Sequence, residues 1–450
     1  MDIFHPGSVY RQFTRRGQPL INCNCMDSGR GNRGMAEPGE REFATEVVRR
    51  LTGAGHQALF AGGCVRDELL GLEPDDYDVA SSATPDQVRA LFRRSIAVGA
   101  SFGVIEVLGP PGLKGPLKVQ VATFRTDGNY ADGRRPLSVT FGSAREDALR
   151  RDFTINGMFL NPLTGEVLDH VGGRDDLRAG LLRAIGDPEK RFEEDRLRLA
   201  RAVRMAARFG LALDPQTSTA IKRHASALTV VSAERVAEEL RKMLRHPSRS
   251  TAVAMLESHG LLEQVLPELA RHASHHPDHL PLVLRVLSRL PASVDFESAM
   301  ACVLTGQPPA TAVAVAKRLR LSNDEKDRVL WLLENEDVLE QAAGLPNHRL
   351  YPVLAHPWAE DLFTCSGARV GAMAKSASGL EAAASVLGSR SGAELDPPPL
   401  VDGADLQSIG IRPGPAMGRV LRKIREEQLD GLLSEKSQAL DRAAALAGAG

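Results

Sequence analysis

The hydrophobic pattern of this chain changes once, near residue 180, and that change constrains the fold more than any other feature. Before it, short apolar runs such as QALFAGG at 57–63 alternate with amphipathic stretches such as EREFATEVVRRLTGAG at 40–55. The first pattern is typical of strands and the second of helices. From about residue 186 the pattern is helical nearly throughout, with no strand signal. The sequence therefore predicts an α/β region followed by all-α domains.

Composition limits the possible functions. A chain of 450 residues is too long for one ordinary domain. Its net charge of −1 excludes a uniformly basic nucleic-acid coat, although local basic patches remain compatible with it. The five cysteines are scattered without the spacing of a disulfide framework or zinc site, which indicates a reducing, cytoplasmic location. No apolar run reaches the length of about 18 residues that a membrane span requires.

The segment AGGCVRDELLGLEPDDYDVASSATP, at 61–85, contains the first chemical motif. Asp76 and Asp78 are two residues apart, so on a strand both carboxylates project from the same face and can hold one or two Mg²⁺ ions. Upstream, the backbone N–H groups of Gly62 and Gly63 can approach a polyphosphate, with Arg66 as a cationic partner. An isolated D-x-D is explained by an Asp-rich surface turn. The order of strand, Gly-Gly, Arg-Asp and D-x-D in one segment is far more specific for a metal and phosphate site.

The second motif, LRRDFTING at 149–157, combines Arg150 and Arg151 with Asp152 and Asn156. A nucleotide-binding role and a plain ion-paired helix terminus explain this string equally well when it is considered alone.

The third motif, at 186–210, is predicted to be one long helix on which Asp195 and Arg198 share a face. A carboxylate accepts from an exocyclic amine, and a guanidinium donates to a ring nitrogen or carbonyl. Cytosine and adenine satisfy both groups, whereas uracil and guanine present the reverse polarity. Arg201 and Arg204 follow at spacing three and suit triphosphate contacts. The alternative is a solvated helix of mixed charge.

Together and in this order, the three motifs resemble the class II tRNA nucleotidyltransferase and bacterial poly(A) polymerase family. The matching elements are Gly-Gly-x-Val-Arg-Asp with D-x-D, Arg-Arg-Asp-x-x-x-Asn, and the Glu-Asp-x-x-Arg template at Glu194, Asp195 and Arg198. The resemblance covers residues from about 40 to 270 well and implies a nucleotidyltransferase head, a small mixed sheet with helices, followed by all-α neck, body and tail. The expected divisions are a disordered extension or misassigned start at 1–38, head 39–180, neck 181–250, body 251–390 and RNA-binding tail 391–450.

Within the family, three segments favour the tRNA branch. The string at 126–136 resembles the flexible loop that lets CCA-adding members switch from CTP to ATP, and 98–107 and 399–431 resemble tRNA-type segments. The loop residues expected to matter are Asp127, Gly128, Asp132, Gly133, Arg134 and Arg135.

The chain departs from the family pattern at two places. Gln120 stands where relatives often have an acidic residue, so a third metal-binding carboxylate is in question. In the body, Leu282 and Thr305-Gly306 replace the histidine and the His-Asp pair of an HD metal site. These replacements predict an HD-like helical domain without phosphohydrolase chemistry, with the histidines at 272–279 in a solvated loop.

The resemblance implies Mg²⁺-dependent, template-independent addition of C and A to the tRNA 3′ end from CTP and ATP, with release of pyrophosphate. Asp76 and Asp78 would hold Mg²⁺, while Gly63, Arg66 and Arg151 would bind the triphosphate. The helical half would hold the tRNA acceptor arm; neither DNA nor a membrane is an expected partner. The alternatives are a poly(A) polymerase, a CC-only or A-only enzyme, and a catalytically silent RNA-binding protein, against which the intact aspartate pair argues.

Overall fold

A mixed seven-stranded sheet organises the first half of the chain. The computed structural model describes residues 39–99, 103–112, 115–127 and 139–448, so the predicted extension at 1–38 lies outside the described residues. The strand order is β3-β4-β5-β2-β1-β8-β9. Strands β2 and β5 run parallel, and the other neighbours in this sheet are antiparallel. The sheet strands are β1 Ala58–Ala61, β2 Asp78–Ser81, β3 Ser95–Gly99, β4 Val104–Gly112, β5 Gly115–Thr123, β8 Met158–Leu160 and β9 Val167–Asp169.

Helices cover both faces of this sheet, which explains the continuous apolar sequence of its inner strand β1. In β1, Phe60 faces a core that includes Val47 and Leu51 of the first helix, whereas Leu59 faces a second cluster with Phe124 and Phe159. A strand that is buried on both faces carries no alternating polar residues. The helices of this region are α1 Glu40–Gly53, α2 Gly63–Leu69, α3 Pro85–Leu91, α4 Ala144–Leu149 and α5 Gly173–Arg178.

Two further strand pairs are short. Strand β6 Arg125–Asp127 pairs with β7 Val139–Phe141. Strand β10 Leu181–Leu182 pairs in parallel with β11 Ala212–Leu213. The expectation of no strand after residue 186 is therefore wrong at β11, where a pair of two-residue strands is too short to leave a periodic pattern.

The predicted single helix over 186–210 is also wrong. Helix α6 spans Pro188–Glu194, and α7 spans Leu197–Phe209. Asp195 between them has extended dihedral angles, φ −146° and ψ 106°. Aspartate favours helix caps over helix interiors, and here it ends one helix and precedes the next.

The chain divides into two units, Met1–Val230 and Val231–Gly450. The first contains the sheet together with α6, α7 and α8 Pro215–His224, and the second is helical throughout its described residues. The change from an α/β region to a helical region is confirmed. The helices of the second unit are α9 Ala233–Arg245, α10 Arg249–Ser258, α11 Leu262–Val265, α12 Pro267–His275, α13 His279–Arg289, α14 Phe296–Val303, α15 Ala310–Leu319, α16 Asn323–Glu334, α17 Asn347–Ala355, α18 Ala359–Met373, α19 Ser378–Ser389, α20 Gly392–Leu395, α21 Gly403–Ser408, α22 Pro415–Leu429 and α23 Lys436–Gly448.

The histidines of the second unit do not form the predicted solvated loop. His272 and His275 lie on α12, and His279 begins α13 with its side chain buried. Thr305 and Gly306 donate hydrogen bonds to the Glu336 carboxylate. Among the described residues, no group of three or more His, Cys, Asp or Glu side chains is arranged to hold a metal ion. In the same part of the chain, no helix is long and apolar enough to cross a membrane.

Candidate active site

A tight turn at Gly62 connects β1 to α2. Gly62 has φ 75° and ψ −123°, a conformation that residues with a side chain rarely adopt. A Cβ atom at this position would lie 2.9 Å from Nη1 of Arg151. The turn therefore needs glycine for its backbone conformation and for the room that the Arg151 guanidinium occupies.

Asp76 and Asp78 flank the start of β2. Tyr77, between them, is buried and packs on Phe60 with ring centroids 5.1 Å apart. Because side chains alternate along an extended chain, both carboxylates project away from that contact, and both residues keep exposed surface. The D-x-D pair thus lies on the opposite side of the chain from the core contact of Tyr77.

The environment of Asp78 opposes its ionisation. Desolvation of its carboxyl raises the pKa to about 6, the negative charge of Asp76 adds to this rise, and the Arg151 charge acts against it. A pair of mutually repelling carboxylates suits a divalent cation, and Mg²⁺ combines a few carboxylates with phosphate oxygens. Gln120 on β5 is the direct register partner of Asp78, so an amide stands where a third carboxylate was in question.

Arg66 is buried and joins three segments. Its Nη1 donates to Oδ1 of Asn156 at 2.6 Å, and its Nε donates to Asp67 at 2.9 Å. The guanidinium carbon lies 4.1 Å from the centroid of the Phe209 ring, at the end of α7. Burial lowers the pKa of Arg66 below its usual value. Arg66 therefore fixes α2 against the Arg-Arg-Asp segment and α7.

Arg150 and Arg151 share one carboxylate partner. Asp147 Oδ1 accepts from Nε and Nη2 of Arg150, and Asp147 Oδ2 accepts from Nε and Nη2 of Arg151. Arg151 also donates to the Asn156 carbonyl at 3.2 Å, and its guanidinium carbon lies 5.0 Å from the centroid of the Phe159 ring.

Asp152 is buried, and both of its carboxylate oxygens have partners. One oxygen accepts from the Phe153 N–H and from Asn156 Nδ2, and the other lies 2.9 Å from Nε of Arg201. Burial opposes its ionisation, but the charges of Arg201 and Arg198 and these hydrogen bonds outweigh that effect and lower its pKa. Asp152 thus links the Arg-Arg-Asp segment to α7.

The base-selection candidates are not arranged on one helix face. Asp195 precedes α7, and its Oδ1 accepts from the Leu197 N–H at 3.1 Å. Arg198 lies in the first turn of α7 and donates to Glu194 at 2.7 Å and to the Arg191 and Arg150 carbonyls. Asp195 therefore lies in the break between α6 and α7, whereas Arg198 lies on α7. The Arg198 guanidinium is hydrogen-bonded to the Glu194 carboxylate and to two backbone carbonyls. Arg201 and Arg204 follow on α7 as the spacing predicted.

The loop expected to govern the CTP-to-ATP switch falls largely outside the described residues, which omit 128–138 and, from the tRNA-type string, 100–102. Gly128, Asp132, Gly133, Arg134 and Arg135 stay predictions. Asp127 ends β6, where its register partner is Val139 of β7.

Sequence reasoning missed Asp147 and Phe209. Asp147 precedes Arg150 and Arg151 by three and four residues, and this spacing puts side chains on one helix face. That signal was available in the sequence. The contact between Phe209 and Arg66 joins residues 143 positions apart in the chain, which no local pattern can reveal.

Comparison with known proteins gives the same family as the motifs. Residues 58–183 match the family model described as Poly A polymerase head domain, and residues 210–272 match the one described as Probable RNA and SrmB- binding site of polymerase A.

Among curated proteins, the chain is 33% identical over 407 residues to the CCA-adding enzyme of Lacticaseibacillus paracasei, covering 88% of this chain and 94% of that one. It is 38% identical over 248 residues to Poly(A) polymerase I of Salmonella typhi, covering 53% and 52%. The match spans about half the length of some other curated relatives.

The fold resembles the crystal structure of the Bacillus stearothermophilus CCA-adding enzyme in complex with CTP. The TM-score is 0.72 at 27% sequence identity, and the match covers 91% of this chain and 99% of that one.

Proposed function

Because this chain belongs to the CCA-adding enzyme family of nucleotidyltransferases, we propose that it adds C and A to the 3′ end of tRNA, using CTP and ATP and releasing pyrophosphate. The observation that carries the proposal is the aspartate pair at the start of β2 beside the Gly62 turn and Arg151. A protein that only binds RNA gains nothing from two neighbouring carboxylates, because each carries a negative charge that repels the other and repels phosphate.

Asp76 and Asp78 fit a Mg²⁺ site. They supply two oxygen-bearing groups on one side of the chain at the start of β2, and desolvation together with the charge of Asp76 raises the pKa of Asp78 in the cation-free protein. When bound, Mg²⁺ lowers the pKa of the attacking hydroxyl and neutralises charge on the phosphates.

The residues around this pair are proposed to hold the triphosphate. The Gly63 N–H begins α2, and Arg151 presents a guanidinium at the same turn. Arg66 is buried beside Asn156, so its contribution includes keeping that segment in place. With the triphosphate fixed, the tRNA 3′-hydroxyl attacks the α-phosphorus, the bond to the bridging oxygen breaks, and pyrophosphate leaves. Fixed geometry of this kind removes much of the entropic barrier.

Asp195 and Arg198 are proposed to select the base, with Arg201 and Arg204 in support. The bonds from Arg198 to Glu194 and to two carbonyls restrict its orientation, which suits a group that must reject bases by hydrogen-bond polarity. Asp195 accepts the Leu197 N–H through Oδ1 at the start of α7, and as an ionised carboxylate it can only accept hydrogen bonds, which suits recognition of an exocyclic amine.

The helical unit is proposed to hold the tRNA acceptor arm by shape and phosphate contacts, without reading sequence. The described cysteines Cys64, Cys302 and Cys365 are buried free thiols, which supports a reducing, cytoplasmic setting.

The deciding experiment uses tRNA that ends at the discriminator base, incubated with CTP, with ATP, or with both. We expect two C residues with CTP alone, no extension with ATP alone, and C-C-A with both. A poly(A) polymerase, which the similarity to Poly(A) polymerase I keeps as the second candidate, would add many A residues with ATP alone. A CC-only enzyme would stop after two C residues, and an A-only enzyme would extend only tRNA that already ends in C-C.

A further inference from the structure

We propose that Phe209, at the end of α7, is a positioning residue whose ring supports the Arg66 guanidinium beside the Gly62 turn. The inference rests on the proposed function and adds to it a residue outside the predicted nucleotide-binding set. It also connects α7, the helix proposed to help select the base, with the turn proposed to hold phosphate.

The first observation is that hydrogen bonds hold Arg66 within the plane of its guanidinium. Nη1 donates to Oδ1 of Asn156 at 2.6 Å, and Nε donates to Oδ1 of Asp67 at 2.9 Å. Because all N–H donors of a guanidinium lie in its plane, these contacts set the directions of its edges. They restrain a tilt out of that plane only weakly.

The second observation is an aromatic ring against the face of the same group. The Arg66 guanidinium carbon lies 4.1 Å from the centroid of the half-buried Phe209 ring. Arg66 is 6% exposed, and burial lowers its pKa below the usual value. A desolvated cation gains more from the negative face of an aromatic ring than an exposed one does. Phe209 therefore stabilises the charge of Arg66 and limits its movement perpendicular to the guanidinium plane.

The third observation places the supported group at the proposed phosphate site. A Cβ atom on Gly63 would lie 3.7 Å from Nη2 of Arg66, so the guanidinium lies beside the backbone that begins α2. A tilt of this group would move a positive charge at the turn that is proposed to hold the triphosphate.

Helix α7 contacts the same network at a second point. Nε of Arg201 lies 2.9 Å from Oδ2 of Asp152. The other oxygen of Asp152 accepts from Nδ2 of Asn156, whose own side-chain oxygen accepts from Arg66. Phe209 lies about two turns further along the helix than Arg201. A shift of α7 would therefore disturb the acceptor of Arg66 and its aromatic support together.

The test is Phe209→Leu in the full chain, with steady-state kinetics on tRNA. We expect KM for CTP and ATP, and the inhibition constant of pyrophosphate, to rise together by about three- to tenfold, since all three depend on phosphate binding. The value of kcat should fall by less than about twofold, and Kd for tRNA should stay unchanged. Phe209→Tyr keeps the ring and should restore the parental constants to within about twofold.

Phe92→Leu is the matched control. The Arg50 guanidinium carbon lies 4.4 Å from the centroid of the Phe92 ring, and Phe92 belongs to the core of the same unit. This variant should lower the melting temperature without changing KM or the pyrophosphate inhibition constant. It therefore separates the general loss of a cation–π contact from the loss of the contact at Arg66.

A double-mutant cycle with Arg66→Gln tests whether Phe209 acts through Arg66. In that background, Phe209→Leu should have little further effect on KM. Calorimetric titration with CTP completes the cycle if turnover is too slow to measure. Additive losses, a failure of Phe209→Tyr to restore KM, or an unchanged KM with only a lower melting temperature would overturn the inference.

If Phe209→Leu does not fold, trifluorophenylalanine at this position takes its place, because it keeps the shape of the ring and weakens its negative face. A rise in KM then supports the inference, and an unchanged KM overturns it. If the parent incorporates no nucleotide, the proposed function fails instead, and that result is distinct.

Discussion

The ionised carboxylate of Asp78 has an electrostatic cost in the cation-free protein, and a bound cation would relieve it. Desolvation and the neighbouring carboxylate raise the pKa of Asp78 to about 6, so part of its population is protonated near neutral pH. A group that destabilises the resting protein and performs no packing is expected to be kept for chemistry.

The metal-ligand assignment predicts that Asp76→Ala or Asp78→Ala abolishes incorporation while leaving tRNA binding nearly intact. Loss of metal-based charge stabilisation costs several kcal/mol of barrier. Single-turnover incorporation of CTP measures the effect, and tRNA gel shifts serve as the control. Residual activity within about tenfold of the parent, or ~1.4 kcal/mol, contradicts the assignment.

The raised pKa of Asp78 also predicts a pH-dependent gain in stability for Asp78→Asn in metal-free buffer. The folded pKa, about 6, exceeds the ordinary value of 3.8, so ionisation destabilises the folded state. This penalty is absent below about pH 4, grows between about pH 4 and 6, and is complete above that range. After allowance for solvent screening of this partly exposed residue, we expect about 1 kcal/mol at pH 8.

Urea denaturation of the parent and Asp78→Asn at pH 4 and pH 8 checks this prediction. If Asp78→Asn raises the free energy of unfolding more at pH 4 than at pH 8, the prediction is wrong. Added Mg²⁺ should reduce the advantage at pH 8, because the cation stabilises only the parent's ionised pair.

Base choice is predicted to depend on Asp195 and Arg198. Asp195→Ala or Arg198→Ala should relax discrimination against UTP and GTP more than it removes nucleotide addition. Each unsatisfied buried polar group costs about 1–3 kcal/mol, so two mismatches give discrimination on the order of a hundredfold. The measurement is kcat/KM for the four nucleotides on one tRNA. Ratios that stay fixed while all rates fall would show that the pair is structural.

At the scale of elements, the break between α6 and α7 changes the positions of the two proposed base-selecting residues of the third motif. One continuous helix would have put Asp195 and Arg198 on a shared face; instead Asp195 accepts from the Leu197 N–H at the start of α7. Asp195→Ala therefore carries a stability cost of about 1 kcal/mol for the lost N-terminal hydrogen bond, apart from any effect on base choice.

The sequence predicted the elements with strong local patterns and missed those without them. The predicted helix over 40–55 is found as α1, and α3 begins at Thr84 and Pro85, a pair that is a strong local signal for a helix start. Strands β8 and β9 have three residues each, too few to show alternation. The helix break was missed because Asp195 lies within a charged string that fits helical periodicity on both sides. Local patterns fix the existence of an element better than its ends.

The hairpin of β6 and β7 sets the design of a loop variant. Asp127 and Val139 are register partners, so residues 128–138 can be replaced by a two-residue Asn-Gly turn without separating the strands. We expect A addition to tRNA ending in C-C to fall by about tenfold or more, ~1.4 kcal/mol, with C addition less affected. Equal loss of CTP and ATP incorporation would indicate structural damage instead.

At the scale of the whole molecule, a net charge of −1 gives no general attraction for RNA, so the proposed tRNA binding depends on local basic surfaces. One such surface is on α22, where Arg419 and Arg422 are exposed and three residues apart. This helix belongs to the segment predicted to be the RNA-binding tail.

Arg419→Ala and Arg422→Ala are each predicted to weaken tRNA binding and to reduce the slope of log K against log salt by roughly one, since each removes one phosphate contact. Fluorescence anisotropy with labelled tRNA at several salt concentrations measures this slope. Arg442→Ala is the control, because the Arg442 guanidinium is already bound to Glu427. KM for CTP should not change, and an unaltered slope in both variants would remove α22 from the RNA-binding surface.

The pairing of β2 with β5 has a consequence for charge balance. Because Gln120, and not an acid, is the register partner of Asp78, the proposed metal site carries two negative charges. One divalent ion would then make it electroneutral, and an incoming nucleotide with its several negative charges would meet no residual repulsion from the aspartates. A third carboxylate would leave the loaded site anionic and would demand a second cation before the nucleotide could approach. The amide thus suits an enzyme that works with few ions, at a site where the nucleotide itself brings the remaining ligands.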